Sequence, residues 1–260
     1  MKLKDRVAII TGSGRGIGRA IAERFAREGA AILLNSRTEK ELQQTTDAIQ
    51  QAGGRAAFVV GNVAEASTVE KLVATACKQW GQVDILVNNA GIYGDVKPLT
   101  ELTAQEWDRI LAVNLRSAFL LTRAVLPAMV ERRRGVILNI SSVSGKYAFG
   151  LSGAYAASKA GLLALTRTAA AEVGRQGVRV NALCPGIVKG TRMWHEVGEG
   201  LQKAFNVTAE QLEEMSTATV LQGRQLQPEE VAAAAVFLCS DDASAITGQA
   251  VNVDGGFVFD

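Results

Sequence analysis

What most constrains the fold of this chain is the regular return of short, apolar, β-branched runs separated by stretches of helical period. The runs are "RVAIIT" (6–11), "AAILLNS" (30–36), "RAAFVVGNV" (55–63), "DILVNNA" (84–90), "GVILNIS" (135–141), "VRVNALC" (178–184) and "AVNVD" (250–254). Each is apolar in both side-chain directions, as a strand covered by helices on both faces must be. Between them lie amphipathic patterns such as "RAIAERFAREG" and "EKELQQTTDAIQQAGG", each stopped by glycine. This alternation predicts an α/β protein: a doubly wound, seven-stranded, mostly parallel sheet with helices on both faces. No linker, low-complexity tract or internal repeat divides the sequence, so residues 1–260 read as a single domain. One interval breaks the rhythm. Residues 187–226 carry no convincing strand, and a loop of that length inside a compact domain commonly serves as a lid.

Composition narrows the function classes. With 48% apolar and 21% charged residues, the chain has material for a sizeable core. A net charge of +2 is too weak to argue for a nucleic-acid surface, and the densest basic run, residues 132–134, reads as the last turn of a helix. Cys77, Cys184 and Cys239 are far apart, without a CxxC pair, and read as reduced, mostly buried thiols. No metal site is expected. The N-terminus lacks a signal core, and no run approaches the roughly 18 apolar residues of a membrane span, so a cytoplasmic protein is expected.

The first strand runs directly into "TGSGRGIGRAIAERF". Glycines at 12, 14, 16 and 18 let backbone amides approach an anion at the start of the following helix, where the helix dipole favours negative charge. In a strand–turn–helix setting this points to a dinucleotide pyrophosphate and to a Rossmann-type domain, although the spacing is not the plain G-x-G-x-x-G, since Ile17 and Arg19 alternate with the last glycine. About twenty residues on, an NAD site usually presents an acid to the ribose 2′-hydroxyl. Here the second strand ends Asn35-Ser36-Arg37. Arg37, with Ser36 and Arg15, suits a 2′-phosphate, because guanidinium pairs with phosphate in bidentate fashion. NADP is therefore expected over NAD; the bland alternative makes Arg37 a solvated residue before the next helix.

A second feature is "SGAYAASKAG", residues 152–161, where Tyr155 and Lys159 stand four apart on one helix face. A packing helix would place leucine or isoleucine there, and a solvated one would pair Glu with Lys. Read alone, the pair is compatible with an inert surface contact.

The segments "TGSGRGIG", "NNAG" (88–91), "VNL" (113–115), "SSVSG" (141–145), "YAASK" (155–159) and "CPG" (184–186) occur in that order, and with them the chain resembles the short-chain dehydrogenase/reductase family from the first strand to "VDGG" (253–256). The resemblance implies an NAD(P)-dependent oxidoreductase with Asn114, Ser142, Tyr155 and Lys159 as its catalytic tetrad. It implies a cofactor held by Gly12, Ser13, Arg15, Gly16, Ile17 and Gly18, by Ser36 and Arg37, by Asn62 and Val63 at the adenine, by Asn89, Ala90 and Gly91, by Pro185, Gly186 and Val188, and by Tyr155 and Lys159 at the nicotinamide ribose. Asn62 stands where the family commonly has Asp, and Thr191 comes one residue later after the Pro-Gly motif than usual.

Reducing a carbonyl requires a proton at oxygen, and a neighbouring cation together with the oxidised nicotinamide lowers a phenol's pKa from its ordinary value of about 10. Tyr155 is thus expected as general acid/base, poised by Lys159, with Ser142 donating to the substrate oxygen and Asn114 holding a water that resupplies protons. The same resemblance implies a homotetramer built on the helix at "GAYAASKAG" and on "EWDRILAVNLRSAFLLTRAVLPAMV". Substrate selection is expected from Ser142, Ser144 and Tyr155, from Arg192, Trp194 and His195 in the lid, and from Lys146 and Tyr147, although a lone histidine is more often a packing or solvated residue. An NADP-preferring alcohol/ketone oxidoreductase is the favoured reading. The alternatives are an NAD-dependent dehydrogenase of a sugar, polyol or hydroxy acid, a dinucleotide-sensing regulator, and a different chemistry such as dehalogenation.

Overall fold

The structure, a computed structural model, describes residues 1–147 and 149–259. Its seven strands are β1 (Val7–Thr11), β2 (Ala31–Ser36), β3 (Arg55–Val60), β4 (Ile85–Asn88), β5 (Gly135–Ile140), β6 (Val178–Pro185) and β7 (Ala250–Val253). They form one sheet in the order β3-β2-β1-β4-β5-β6-β7. Every neighbouring pair is parallel, so the expected mostly parallel sheet is wholly so. The order reverses between β1 and β4, and a ligand crevice opens at the carboxyl ends on either side of such a reversal.

Alternate side chains build two separate cores. Ala8 and Ile10 of β1, Ile32 and Leu34 of β2, and Leu138 of β5 pack beneath α1 (Gly16–Arg27), α2 (Glu39–Gln51) and α9 (Pro228–Cys239). Val7 and Ile9, Ala31 and Leu33, and Ile137 point the other way, beneath α3 (Ala66–Trp80), α5 (Ser117–Glu131) and α6 (Gly153–Val173). The period of two along each strand, apolar on both faces, is what this two-sided burial requires. The edges are less covered: Val60 of β3 is exposed, and all of β7 is half-buried.

Two expectations need correction. Residues 187–226 are not a loop but two helices, α7 (Arg192–Phe205) and α8 (Ala209–Ala218), joined through Asn206 in the left-handed region at φ 53°. Their base is pinned where Lys189 N–H donates to Leu226 O and Leu226 N–H donates to Ile187 O. The basic residues 132–134 lie just past the end of α5 rather than in its last turn; Arg132 donates to Val83 O and Arg133 to Arg175 O. The helix α4 (Ala104–Leu111), a π-helical turn at Ala112–Arg116 and α5 run on as one helical stretch, Ala104–Glu131, long and apolar enough to cross a membrane by length and composition. Its Leu121, Val125 and Met129 pack on the sheet here, as in the core helix of a globular domain. None of the three cysteines is disulfide-bonded: Cys77 is exposed, and Cys184 and Cys239 are buried.

Candidate active site

The glycine turn is tied to the end of β4. Asn89 Nδ2 donates to Thr11 O (2.8 Å) and Gly12 O (3.1 Å), while Thr11 Oγ1 accepts from the N–H groups of Asn89 and Ala90. Gly12 adopts φ 63°, and a Cβ on Gly18 would stand 2.3 Å from Gly12 O and 2.4 Å from Asn89 Nδ2. The cradle is therefore closed to side chains at both positions. Above it, α1 begins with no side chain capping its free N–H groups and no acid in its first turn. Unfilled donors at a positive helix end, reached over glycine, fit a pyrophosphate. Ser13 works within the turn, donating to Ile10 O and accepting from Asn35 N–H. The Cβ position at Gly16 lies 3.6 Å from Thr191 Cγ2, so Thr191, whose side chain caps α7, flanks the same cleft. Gly186 and the buried Val188 complete this side, with Gly186 N–H donating to Val253 O beyond Pro185.

The end of β2 and the turns beside it are polar. Ser36 Oγ accepts from Thr38 N–H, Arg37 is exposed with no ion pair among the described residues, and Arg15 Nη1 meets Glu41 Oε1 at 2.7 Å. Asn62 closes a local turn, its Oδ1 accepting from Ala64 N–H, beside the buried Val63.

At the carboxyl ends of β4 and β5 the tetrad residues come together. Ser142, extended at φ −168°, opens a short 3₁₀ turn (Val143–Gly145) by accepting from Ser144 N–H, and its hydroxyl acts on the Tyr155 phenol, favouring the ionised form. Ser141 Oγ donates to Lys159 O, and a Cβ on Gly145 would stand 2.8 Å from Lys159 C, so this loop sits directly on α6. Lys159 Nζ donates to Ile140 O at 2.7 Å and lies 5.6 Å from the Tyr155 ring centroid. Gly91 leaves the gap in front of it: its Cβ position is 3.4 Å from Lys159 Nζ and 3.5 Å from Asn114 Oδ1.

Burial dominates the ionisation of both groups. It pushes the Tyr155 phenol up to about 12, against the opposing effect of the Ser142 hydroxyl, and the Lys159 ammonium down to about 8. Lys159 Nζ is held at a backbone carbonyl rather than at the hydroxyl, and burial sets the direction of the phenol's shift. Asn114 sits in the π-helical turn, accepts from Ile92 N–H, and donates to Ile92 O and Ser158 Oγ, so its side chain staples β4's outgoing loop to α6. Such turns frequently mark functional positions in helices.

The lid residues divide. Arg192 is exposed and bound to Glu196 Oε1 one turn on, not directed at Tyr155. Trp194 and His195 line a cavity of about 500 Å³ between α7 and α8, together with Leu212 and Gln225, away from Ser142 and Tyr155. Lys146 donates to Ala250 O, and Tyr147 contacts the Phe149 ring, which stacks on Phe257 at 5.5 Å. Two residues not read from the sequence stand nearer the chemistry. Tyr93, whose phenol is pushed up in pKa by burial against the opposing effect of the Ser152 side chain, covers the Tyr155 ring at a centroid distance of 4.6 Å. Val96 meets α7 where a Cβ on Gly200 would come within 2.6 Å. The only signal for Tyr93 was an aromatic residue two positions after "NNAG".

An anion-binding turn at one end of a crevice and a buried proton donor at the other serve enzymes that move hydride to or from a bound nicotinamide, and fold and cleft place the chain in that class. A family model described as enoyl-(acyl carrier protein) reductase matches residues 12–258. The chain belongs to the short-chain dehydrogenase/reductase family, and it is an NAD(P)-dependent enzyme acting on CH–OH or keto groups. It is 42% identical to the short-chain reductase protein NovJ of Streptomyces niveus over 97% of this chain and 94% of that one. It is 35% identical to the 3-oxoacyl-[acyl-carrier-protein] reductase FabG of Thermotoga maritima, over 99% and 100%. Among solved structures, a single-residue variant of actinorhodin polyketide ketoreductase with NADPH superimposes with a TM-score of 0.93 at 38% identity, covering 97% of each chain.

Proposed function

We propose that the protein is an NADP-preferring oxidoreductase that interconverts a secondary alcohol and a ketone, with Tyr155 as general acid/base. The observation that carries this reading is the buried Tyr155, one helical turn from Lys159, whose Nζ stands 5.6 Å from the Tyr155 ring centroid and 3.4 Å from the Cβ position of Gly91, next to the Asn89 and Ala90 that tie down the glycine turn. When bound, the nicotinamide supplies or accepts the hydride. The chain's own residues do the rest. Ser142 orients the substrate oxygen and Tyr155 delivers or removes its proton. Lys159, freed from Ile140 O, turns to the ribose and brings positive charge toward the phenol, and Asn114 fixes the segment that Lys159 faces. Arg37, exposed and without an ion pair among the described residues, takes a 2′-phosphate. The relatives include reductases of 3-oxoacyl carriers and a polyketide ketoreductase, and we extend ketone reduction, though not a particular ketone, to this chain. A reducing, cytoplasmic setting and a homotetramer complete the reading.

The test is a direct titration with NADPH and NADH, followed by a panel of 3-oxoacyl thioesters, cyclic ketones, acyloins and sugars. Tighter NADPH binding, with Arg37→Asp reversing the preference, is expected. Equal affinities in the parent overturn the phosphate assignment, and cofactor binding without turnover on any carbonyl favours a dinucleotide-sensing regulator.

A further inference from the structure

We propose that Glu41 is a specificity-determining residue, which sets the cofactor preference by competing with the 2′-phosphate for Arg15. The proposal rests on the reading that the adenosine ribose lies between the glycine turn and the end of β2. Glu41 belongs to the first turn of α2, which is docked on the glycine turn: Thr45 Oγ1, buried, donates both to Glu41 O (3.0 Å) and to Gly14 O (3.3 Å). One carboxylate oxygen takes Arg15 Nη1 at 2.7 Å. The other lies 3.3 Å from the point where a Cβ on Gly14 would stand, and Ser36 Oγ is 3.2 Å from that same point. The carboxylate therefore sits inside the group of residues that faces the ribose, not out on the surface of α2. Its side chain is only 27% exposed, so the charge is less screened than in a free surface pair.

The two cofactors present opposite chemistry to this oxygen. A 2′-hydroxyl offers a donor that Glu41 can accept while keeping Arg15. A 2′-phosphate brings like charge against Glu41 and draws Arg15 away, leaving the carboxylate without its partner. Glu41 accordingly holds back NADP and supports NAD, while Arg37, unpaired among the described residues, works the other way.

Calorimetric titration of the full chain tests this with NADP⁺, NAD⁺ and the fragments 2′,5′-ADP and 5′-AMP, on the parent, Glu41→Gln and Arg15→Gln. In Glu41→Gln the affinity ratio of NADP⁺ to NAD⁺ rises about tenfold, and the fragment ratio moves with it. Arg15→Gln lowers the ratio. A ratio unchanged in Glu41→Gln, or both cofactors weakened by one factor as a purely structural role in the turn would give, overturns the proposal. Glu41→Asp, too short to reach Arg15 from the same backbone, gives the same comparison if the amide disturbs folding. A parent that binds the two cofactors equally overturns the NADP reading of the site and leaves the Glu41 proposal to stand or fall on the shift in the ratio.

Discussion

A phenol and an ammonium group share one buried face of α6, with Nζ tied to the Ile140 carbonyl. Burial, with Lys159 down to about 8, makes this site sensitive to pH in the folded protein. Between pH 8 and the ordinary lysine value of 10.5 the unfolded chain holds a proton that the folded chain has released, so the stability contributed by Lys159 rises with pH across that window. Tyr155, up to about 12 from 10, keeps its proton longer when folded, and its contribution falls as pH climbs through that range. Cys239, raised by burial to about 12 from 9, opposes the lysine from pH 9 upward. The lysine part is isolated by difference: the stability gap between parent and Lys159→Met in urea should move in the parent's favour by about 2 kcal/mol from about pH 7.5 to about pH 9.5. A flat difference means that Nζ is not desolvated as described. In the proposed reaction the hydroxyl itself is decisive. Tyr155→Phe keeps the ring against Tyr93, so NADPH affinity should stay within about twofold while ketone turnover drops at least a hundredfold. Retained turnover in that variant removes Tyr155 from the reaction.

Elements meet most tightly where the β1–α1 turn crosses the end of β4. A methyl group on Gly18 would press on a backbone carbonyl that cannot swing aside, so Gly18→Ala should cost about 1–3 kcal/mol in thermal or urea unfolding and abolish measurable cofactor binding. Gly174→Ala, with nothing within 4 Å of the added carbon, is the matched control and should do neither. This turn was legible in the sequence because its glycines serve the local backbone, and the strands were legible because two-sided burial writes continuous apolar runs. The lid helices were not. Gly198 and Gly200 lower the intrinsic helix propensity of α7, and the helix is held by tertiary packing that a local pattern does not display, of Gly198 near Leu212 and Gly200 on Val96. Arg192 has a partner on its own helix, Glu196 four residues on. The tetrad was readable by resemblance as a set of identities, yet Asn114's partners, Ile92 and Ser158, lie far along the chain, and its stapling role emerges only in three dimensions. Tyr93 was hidden likewise, an aromatic residue whose meaning depends on which ring it covers.

At the scale of the whole molecule, the face that carries α5 and α6 is less finished than the core behind it. Phe119 is 45% exposed, with the Arg123 guanidinium 5.6 Å from its ring centroid, and Ala160 and Ala164 are exposed on the adjoining helix. Small side chains there let a second backbone approach closely, while Ala154 and Gly161 of the same helix turn inward, Gly161 against Leu115. Closed symmetric assembly would bury this face, and a rigid α6 would in turn steady the helix that carries Tyr155 and Lys159. Sedimentation of the parent should therefore give a species of four chains of 27.5 kDa, about 110 kDa. Phe119→Asp places a charge at the centre of that face without touching the tetrad, and should shift the mass to a smaller species with lower thermal stability. A parent that sediments as a single chain, or a Phe119→Asp variant of undiminished mass, means that the exposed face has another purpose and that each cleft is complete by itself.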